Sequence, residues 1–176
     1  MNLLHILTFN SMKNLRTLIK NIGFSYTNDL ITLENFPQPE KIATEGAELI
    51  KLEKLTSSED CLKLIEEKGC RPANIYELLA YVQANKKELK GSSRWIVALG
   101  SVFLDAYGRH RVSEVGARSD GGFDFDLGYF ELVWGDNDSL LVFRDLETST
   151  LTPGLLERIE RLEAFEKQVR GFLVLP

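Results

Sequence analysis

The chain has 176 residues, 44% of them hydrophobic and 27% charged, and its formal net charge is −5 at pH 7. A chain of this length suits one domain with a real hydrophobic core, and its composition is that of a soluble globular protein. The acidic balance argues against general binding to nucleic acid and leaves room for a basic protein partner.

The sequence predicts a cytoplasmic protein without a cofactor. Its two cysteines, Cys61 and Cys70, form no C-x-x-C motif, and the two histidines have no spacing that would complete a zinc site with them. Residues 1–9 are apolar but follow no basic segment of the kind that begins a signal peptide. No stretch reaches the roughly 18 uninterrupted apolar residues of a membrane span, so membrane association is not expected.

The first half of the chain is predicted to be mainly helical. Apolar residues recur there at positions three and four apart, which is typical of amphipathic helices. Helices are predicted at 12–22, 57–68 and 75–84, and a strand at 47–55. The stretch between the second and third helices is the clearest. Gly69 ends one helix, Pro72 prevents its continuation, and Asn74 with Glu77 three residues later forms a capping box that begins the next.

From residue 94 the pattern is that of strands. Runs of β-branched and aromatic residues alternate with turn residues and predict four strands. These strands lie at 94–104, 111–115, 123–134 and 139–144, and their short connections favour an antiparallel meander. Gly128 is predicted to mark a bulge in the third of them.

Together these elements predict an α+β fold in which helices pack on one face of a four- to five-stranded, mainly antiparallel sheet. Residues 1–150 would form this single domain, with the meander at 94–144, and residues 151–176 would add a C-terminal amphipathic helix. The apolar stripe of that helix, at 155–170, could pack back on the sheet or form a homodimer. Packing back is favoured because the stripe is short for a stable coiled coil.

Three segments carry a resemblance to a known group of proteins. They are G-x-R-P-A-x-x-x-E-L-L-A from Gly69 to Ala80, V-A-L-G-S from Val97 to Ser101, and L-L-V-F-R from Leu140 to Arg144. They are similar to the RPAT-x-x-ELLA, ALGS and FLAVR motifs of a group of small bacterial proteins. No activity is assigned to that group, so the resemblance implies no functional residue.

The segment Trp134-Gly135-Asp136-Asn137-Asp138 is similar in type to the W-N-D motif of the C-type-lectin-like fold. That resemblance implies a twisted antiparallel sheet preceded by an early helix. The motif supplies calcium ligands in that family. Its spacing differs here, and the family's disulfides have no counterpart, so the three polar residues are interpreted as a turn.

Asp124 and Asp126 are the candidate metal ligands. Because side chains alternate along a strand, both carboxylates fall on one face of the strand at 123–134. They could bind Mg²⁺ or Ca²⁺ in a hydrolase or nuclease. The solvent-exposed side of a half-buried strand would show the same alternation, and that interpretation is favoured.

A second candidate site is basic. Arg109, His110 and Arg111 lie at a predicted hairpin turn, and Arg118 and Asp120 follow in a glycine-rich loop. Such a group could bind an anion or an acidic patch on a protein. Since no catalytic motif is recognisable, the leading hypothesis is a non-catalytic binding or protein-interaction module that uses these five residues. The alternative is the metal-dependent hydrolase or nuclease built on Asp124 and Asp126.

Overall fold

The structure, a computed structural model, describes residues 14–144 of the chain. The helices in this part are α1 (Leu15–Ile22), α2 (Ser58–Glu67) and α3 (Ile75–Leu89). The strands are β1 (Tyr26–Thr27), β2 (Ala47–Lys51), β3 (Thr56–Ser57), β4 (Cys70–Pro72), β5 (Trp95–Leu104), β6 (His110–Ala117), β7 (Phe123–Tyr129), β8 (Val133–Trp134) and β9 (Asp138–Arg144). The α+β class is therefore confirmed, whereas the C-terminal helix predicted at 155–170 lies outside the described residues.

The main sheet is larger and more mixed than the sequence predicts. Within residues 14–144 it has seven strands in the order β1-β7-β6-β5-β9-β2, with β4 also paired to β9. The β5–β6–β7 meander is antiparallel as predicted. However, β9 returns to the other side of β5 and runs parallel to it, and β1 runs parallel to β7. The prediction of four or five mainly antiparallel strands is wrong because β1, β2 and β4 add to both ends of the meander.

Helices pack on both faces of this sheet, whereas the sequence predicted one. On the first face, strand residues such as Ile96 and Phe125 share a core with buried residues of α1 and α3. On the second face, Val97 and Leu140 share a separate core with buried residues of α2. Alternate side chains of the same strands enter the two cores, as a pleated strand requires. This is why the buried part of β5 has a continuous run of apolar residues.

Local signals in the sequence place the end of α2 and the start of α3 correctly, whereas α1 begins at Leu15 instead of residue 12 and α3 continues to Leu89 instead of ending at residue 84. The Asn74 side chain accepts hydrogen bonds from the backbone of residues 76 and 77, and the Glu77 side chain accepts one from the backbone of Asn74. Gly69 follows α2 in the left-handed conformation, with φ 64°. The sequence is less accurate at Gly128. That residue lies inside continuous β7, and the irregularity lies in β5, between Ala98 and Val102.

The three segments that carry the family resemblance meet at this irregularity of β5. One edge of β9 pairs first with β5 and then with β4, since β5 turns away after Val97. Ala73 joins the strands: its backbone N–H donates to Leu141 and its carbonyl accepts from Gly100. A Cβ at Gly100 would lie 2.6 Å from the carbonyl oxygen of Ala73. Only glycine allows this close approach without a shift of the backbone.

A partly buried ion pair fixes the junction at which β4 leads into α3. Arg71 of β4 donates from Nη2 to Oε1 of Glu77 at 2.7 Å and from Nη1 to Oε2 at 2.9 Å. The Glu77 carboxylate also accepts the backbone N–H groups of Asn74 and Ala43, each at 2.9 Å. The Arg71 guanidinium lies over the Phe143 ring, 5.2 Å from its centroid. Four donors thus hold one carboxylate whose side chain is 1% exposed.

We expect Glu77→Gln to destabilise the fold by roughly 2–4 kcal/mol. The glutamine amide has an NH2 group, which would face N–H donors that now donate to the carboxylate. The substitution would also leave the Arg71 guanidinium without its counter-charge. The loss of unfolding free energy should lie toward the lower end of this range, because Arg71 is 37% exposed and solvent screens part of its charge. Urea denaturation followed by circular dichroism measures the effect.

Glu66→Gln provides the matched control for this substitution. Glu66 is an exposed acid of α2, and its replacement should change the free energy of unfolding by no more than about 0.5 kcal/mol. If the two variants unfold at the same urea concentration, the ion pair does not stabilise the junction.

Candidate functional site

Among residues 14–144, α2 covers only part of the second face of the sheet, and part of the remainder forms an open cleft of about 400 Å³. The cleft lies over β5, β6 and β7 and is bounded by the β8–β9 segment. We call it the acidic cleft. It is lined by Trp95, Arg111, Glu114, Asp126, Leu127, Gly128, Tyr129, Leu132, Val133, Trp134 and Asp138.

Two tryptophans shape the acidic cleft, and each occupies the space above a glycine. A Cβ at Gly116 would lie 2.8–2.9 Å from three atoms of the six-membered ring of Trp95. That ring therefore lies flat on the backbone of β6, with its other side turned away from the sheet. A Cβ at Gly128 would lie 2.7 Å from Cη2 of Trp134. Trp134 is buried, and its Nε1–H donates to Oγ of Ser58 at 2.8 Å, which fixes the ring against α2.

The Glu114 carboxylate lies beside the Trp134 ring. Its Oε2 would be 2.9 Å from a Cβ at Gly128, the same position that the Trp134 ring overlies. No residue of 14–144 donates a hydrogen bond to Glu114 or forms an ion pair with it. The pKa of Glu114 is raised to about 7, first by burial and then by the negative charges of Asp126 and Asp138, while the positive charge of Arg111 lowers it. Glu114 is therefore a carboxyl that can gain or lose its proton near neutral pH.

Two more carboxylates line the acidic cleft. Asp126 lies directly opposite Glu114 in the β6–β7 register, where paired side chains are roughly 5 Å apart. Its Oδ1 accepts a hydrogen bond from Nδ2 of Asn28 at 2.8 Å. Asp138 pairs with Trp95 across β5 and β9, and burial raises its pKa. Three carboxylates thus share a cleft in which, among residues 14–144, Arg111 is the one basic lining residue.

A smaller hollow of about 300 Å³ adjoins the acidic cleft on the other side of Trp95. It contains three of the residues predicted from the sequence. The Arg118 Nη2 lies 2.8 Å from Oδ2 of Asp120, and its Nη1 lies 3.6 Å from Oδ1 of Asp124. Hydrogen bonds from the Gly122 backbone and from Arg118 lower the pKa of Asp120. Arg118 is therefore neutralised within the protein by two neighbouring acids.

The predicted basic group at the hairpin turn is paired in the same way. Arg109 donates from Nε to Oδ2 of Asp105 at 2.9 Å. Nδ1 of His110 lies 2.7 Å from Oε1 of Glu131, and this hydrogen bond lowers the pKa of the Glu131 carboxyl. Each of these two side chains already has an acidic partner.

Arg111 differs from the rest of this group because it is 8% exposed. Its guanidinium lies 4.0 Å from the centroid of the Tyr129 ring and donates to the carbonyl of Leu127 at 2.6 Å. The five residues predicted as one binding group, Arg109, His110, Arg111, Arg118 and Asp120, are thus spread over a turn, a buried strand position and a loop.

Asp124 and Asp126 do lie on one face of β7, as alternation predicts, but they face different surroundings. Asp124 lies in the smaller hollow near Arg118, and Asp126 lies in the acidic cleft. Within residues 14–144, no three His, Cys, Asp or Glu side chains are arranged to hold a metal ion. The two aspartates remain a predicted metal pair that no third ligand in this range completes.

Sequence reasoning missed the residues that define the acidic cleft. Glu114 falls in a short alternating strand, where an acid is usually a solvent-facing residue. Trp95 lies in the strand predicted at 94–104, Trp134 ends the strand predicted at 123–134, and Asp138 is interpreted as a turn residue, so none of the three is predicted to line a site. The one available signal was the pair of glycines, Gly116 and Gly128, because glycine inside a strand often marks a close approach of another group.

The two cysteines show no sign of a reactive site. Both thiols are free, and Cys61 is buried. Burial raises the pKa of Cys61 to about 11, with smaller contributions from Asp60 and Asp138. Since the thiolate is the nucleophile, a thiol with this pKa is inert at neutral pH.

No family model, no curated protein and no solved structure matches this chain. The resemblance carried by the three motif segments and the resemblance to the C-type-lectin-like fold therefore stay predictions. In the part of the chain from residue 14 to residue 144, no helix is long and apolar enough to span a membrane. The class defined by fold and site is an α+β protein with an acidic, tryptophan-lined cleft on one face of a mixed sheet.

The raised pKa of Glu114 predicts how stability depends on pH. Between the ordinary glutamate pKa, about 4.3, and the folded value of about 7, the folded state holds a proton that the unfolded state has released. Raising the pH through this window therefore removes stability, by at most about 1.4 kcal/mol per pH unit for one group. Glu114→Gln has no proton to lose, so we expect it to be the more stable protein at pH 8.

The measurement is urea denaturation of wild type and Glu114→Gln from pH 4 to pH 8. The difference between the two proteins isolates this carboxyl from other groups that titrate in the same range. A constant difference over that range would show that Glu114 ionises at its ordinary pKa.

Proposed function

We propose that this protein is a non-catalytic binding module whose partner is another protein, and that the acidic cleft is its binding surface. The observation that carries the proposal is Glu114, a partly buried carboxyl without a hydrogen bond or ion pair to any residue of 14–144, whose pKa is raised by the charges of two further carboxylates, Asp126 and Asp138. Buried charges in a folded protein are normally paired. A cleft that holds an unpaired carboxyl on a rigid sheet is suited to a ligand that supplies the missing partner.

The rim of the acidic cleft supports a protein as the ligand. Leu132 and Val133 line the cleft and are 56% and 54% exposed. Leu55 is 74% exposed, and its Cδ2 would lie 3.4 Å from a Cβ at Gly135 beside them. Apolar side chains around a polar depression are typical of protein-interaction sites. The neighbouring Trp95 adds an aromatic surface of the kind enriched at such interfaces.

Within the binding-module hypothesis, the acidic cleft is a better candidate for the binding surface than the basic group predicted from the sequence. Arg109, His110 and Arg118 each have an acidic partner in the folded chain, so an external anion would have to displace a carboxylate. The acidic cleft has an excess of negative charge, because three carboxylates line it together with one arginine. That arginine already contacts Tyr129 and Leu127. The partner that this arrangement favours is basic, in agreement with the net charge of the chain.

Comparative affinity capture tests the proposal. We expect a protein partner to be retained by wild type, by His110→Ala and by Arg118→Ala, and to be lost with Asp126→Lys, which places a cation in the acidic cleft. Thermal unfolding of each variant confirms that it is folded before capture. Retention by Asp126→Lys together with loss in Arg118→Ala or His110→Ala would move the binding surface to the basic residues.

The alternative function, a metal-dependent hydrolase or nuclease using Asp124 and Asp126, has its own test. A ligand present at a hundred times its dissociation constant adds about 2.7 kcal/mol to stability, which a thermal-shift assay resolves. Because no third ligand accompanies the two aspartates among residues 14–144, we expect no rise in melting temperature with Mg²⁺, Mn²⁺, Ca²⁺ or Zn²⁺. A rise in wild type that is absent from Asp124→Asn and Asp126→Asn would instead favour the hydrolase.

A further inference from the structure

We propose that the acidic cleft binds an arginine side chain of the partner protein, with the guanidinium stacked on the outer side of the Trp95 ring and paired with Glu114 and Asp126. This inference rests on the proposed function, since it names the chemical group that the binding module recognises. Three independent features of the cleft support it: its charge, its aromatic surface and its apolar rim.

The charge of the cleft selects a cation. The charges that act on Glu114 are those of Asp126 on β7, Asp138 on β9 and Arg111 on its own strand. The acids outnumber the base, and Arg111 is partly engaged with Asp105, 4.0 Å away. A neutral ligand such as a sugar would leave the repulsion among the three carboxylates in place. A cation between Glu114 and Asp126 removes it and supplies Glu114 with a hydrogen-bond donor.

The aromatic surface selects arginine over lysine. The Trp95 ring lies flat over Gly116, so its free side points away from the sheet beside the carboxylates. A guanidinium is planar and weakly hydrated, and it can stack on an indole while donating paired hydrogen bonds to a carboxylate. A lysine ammonium is a compact, strongly hydrated charge that gains less from a flat aromatic surface.

The same arrangement already occurs within this chain. Arg111 lies over Tyr129, and Arg109 lies between Tyr107 and Tyr129, at 4.8 Å and 4.9 Å from the two ring centroids. Both arginines also approach Asp105. Aromatic stacking combined with a carboxylate is thus how these strands hold their own arginines. In the acidic cleft, Trp95, Glu114 and Asp126 provide the same combination, with no arginine of residues 14–144 stacked on Trp95.

The apolar rim indicates which residues should flank the arginine in the partner protein. Leu132 and Val133 lie at the edge of the cleft and are more than half exposed. Apolar residues beside the arginine would cover them, which adds buried area to the polar contact. A short peptide with leucine on either side of an arginine is therefore a minimal mimic of the partner.

The experiment uses three peptides, acetyl-Leu-X-Leu-amide, in which X is arginine, lysine or citrulline. Citrulline has the shape of arginine without its charge. The chain has two tryptophans, and both line the acidic cleft, so intrinsic fluorescence and the indole N–H signals in NMR report binding there. We expect the arginine peptide to perturb Trp95 and to bind at least tenfold more tightly than the citrulline peptide, and also more tightly than the lysine peptide.

Glu114→Gln tests the role assigned to that carboxyl. Hydrogen bonds to charged groups are worth 10- to 100-fold in affinity, roughly, so the variant should bind the arginine peptide at least tenfold more weakly. Asp136→Asn is the matched control. Asp136 is an exposed acid near the cleft that does not line it, and its loss tests for a merely long-range effect of charge. The carboxyl carbon signal of Glu114 should also titrate at lower pH when the arginine peptide is bound, because the cation favours the ionised form.

Several results would overturn the inference. Equal binding of the arginine and citrulline peptides would exclude recognition of charge, and equal or tighter binding of lysine would exclude the assignment to arginine. Equal weakening by Glu114→Gln and Asp136→Asn would exclude direct pairing with Glu114. Absence of peptide binding at millimolar concentration, alongside capture of a partner that Asp126→Lys loses, would reject the arginine while the proposed function stands.

Discussion

The fold depends on one carboxylate, that of Glu77. It accepts two hydrogen bonds from Arg71 and one each from the backbone N–H groups of Asn74 and Ala43. These donors belong to β4, to the start of α3 and to the segment that leads into β2. Without the carboxylate, the first turn of α3 and the end of β4 would have partly buried donors without acceptors, and a donor that is fully buried and unpaired costs about 1–3 kcal/mol. A single side chain therefore fixes the position of the main helix relative to the sheet.

This junction also determines where the acidic cleft can form. Because β4 takes the edge of β9 beyond Leu141, β5 pairs with β9 only through Trp95, Ile96 and Val97. The start of β5 stays in the centre of the sheet, and Trp95 lies in one row with Asp138 on β9 and Gly116 on β6. The residues of the cleft are thus aligned across neighbouring strands by backbone hydrogen bonds. A site built on a paired sheet is held more rigidly than one built on a loop.

The elements with strong local signals could be predicted from the sequence, and those that depend on distant pairing could not. The capping box at Asn74 and the β5–β6 hairpin are encoded within a few residues, and the structure contains both. In contrast, β1 and β4 have two and three residues, too few to show a period of two. The cleft was missed for the same reason. Glu114 and Asp138 are separated in the chain, and only the strand order brings them to one face.

The side chains on the second face of the sheet are apolar on one side of the sheet and mainly acidic on the other. Over β9 and the middle of β5 it consists of Leu140, Val142 and Val97, and α2 covers it. Over β6 and β7, apart from Val112, which belongs to the core under α2, the corresponding positions are acids and glycines: Glu114, Gly116, Asp124, Asp126 and Gly128.

An apolar residue at position 114 would extend the α2 core and remove the dependence of stability on pH that the raised pKa of Glu114 creates. A local arrangement that lowers stability at neutral pH is expected where a surface serves binding, because binding sites depart from the rules that optimise a core. The covered half of this face thus contributes stability, and the acidic half lowers it at neutral pH, which is the feature on which the proposed binding rests.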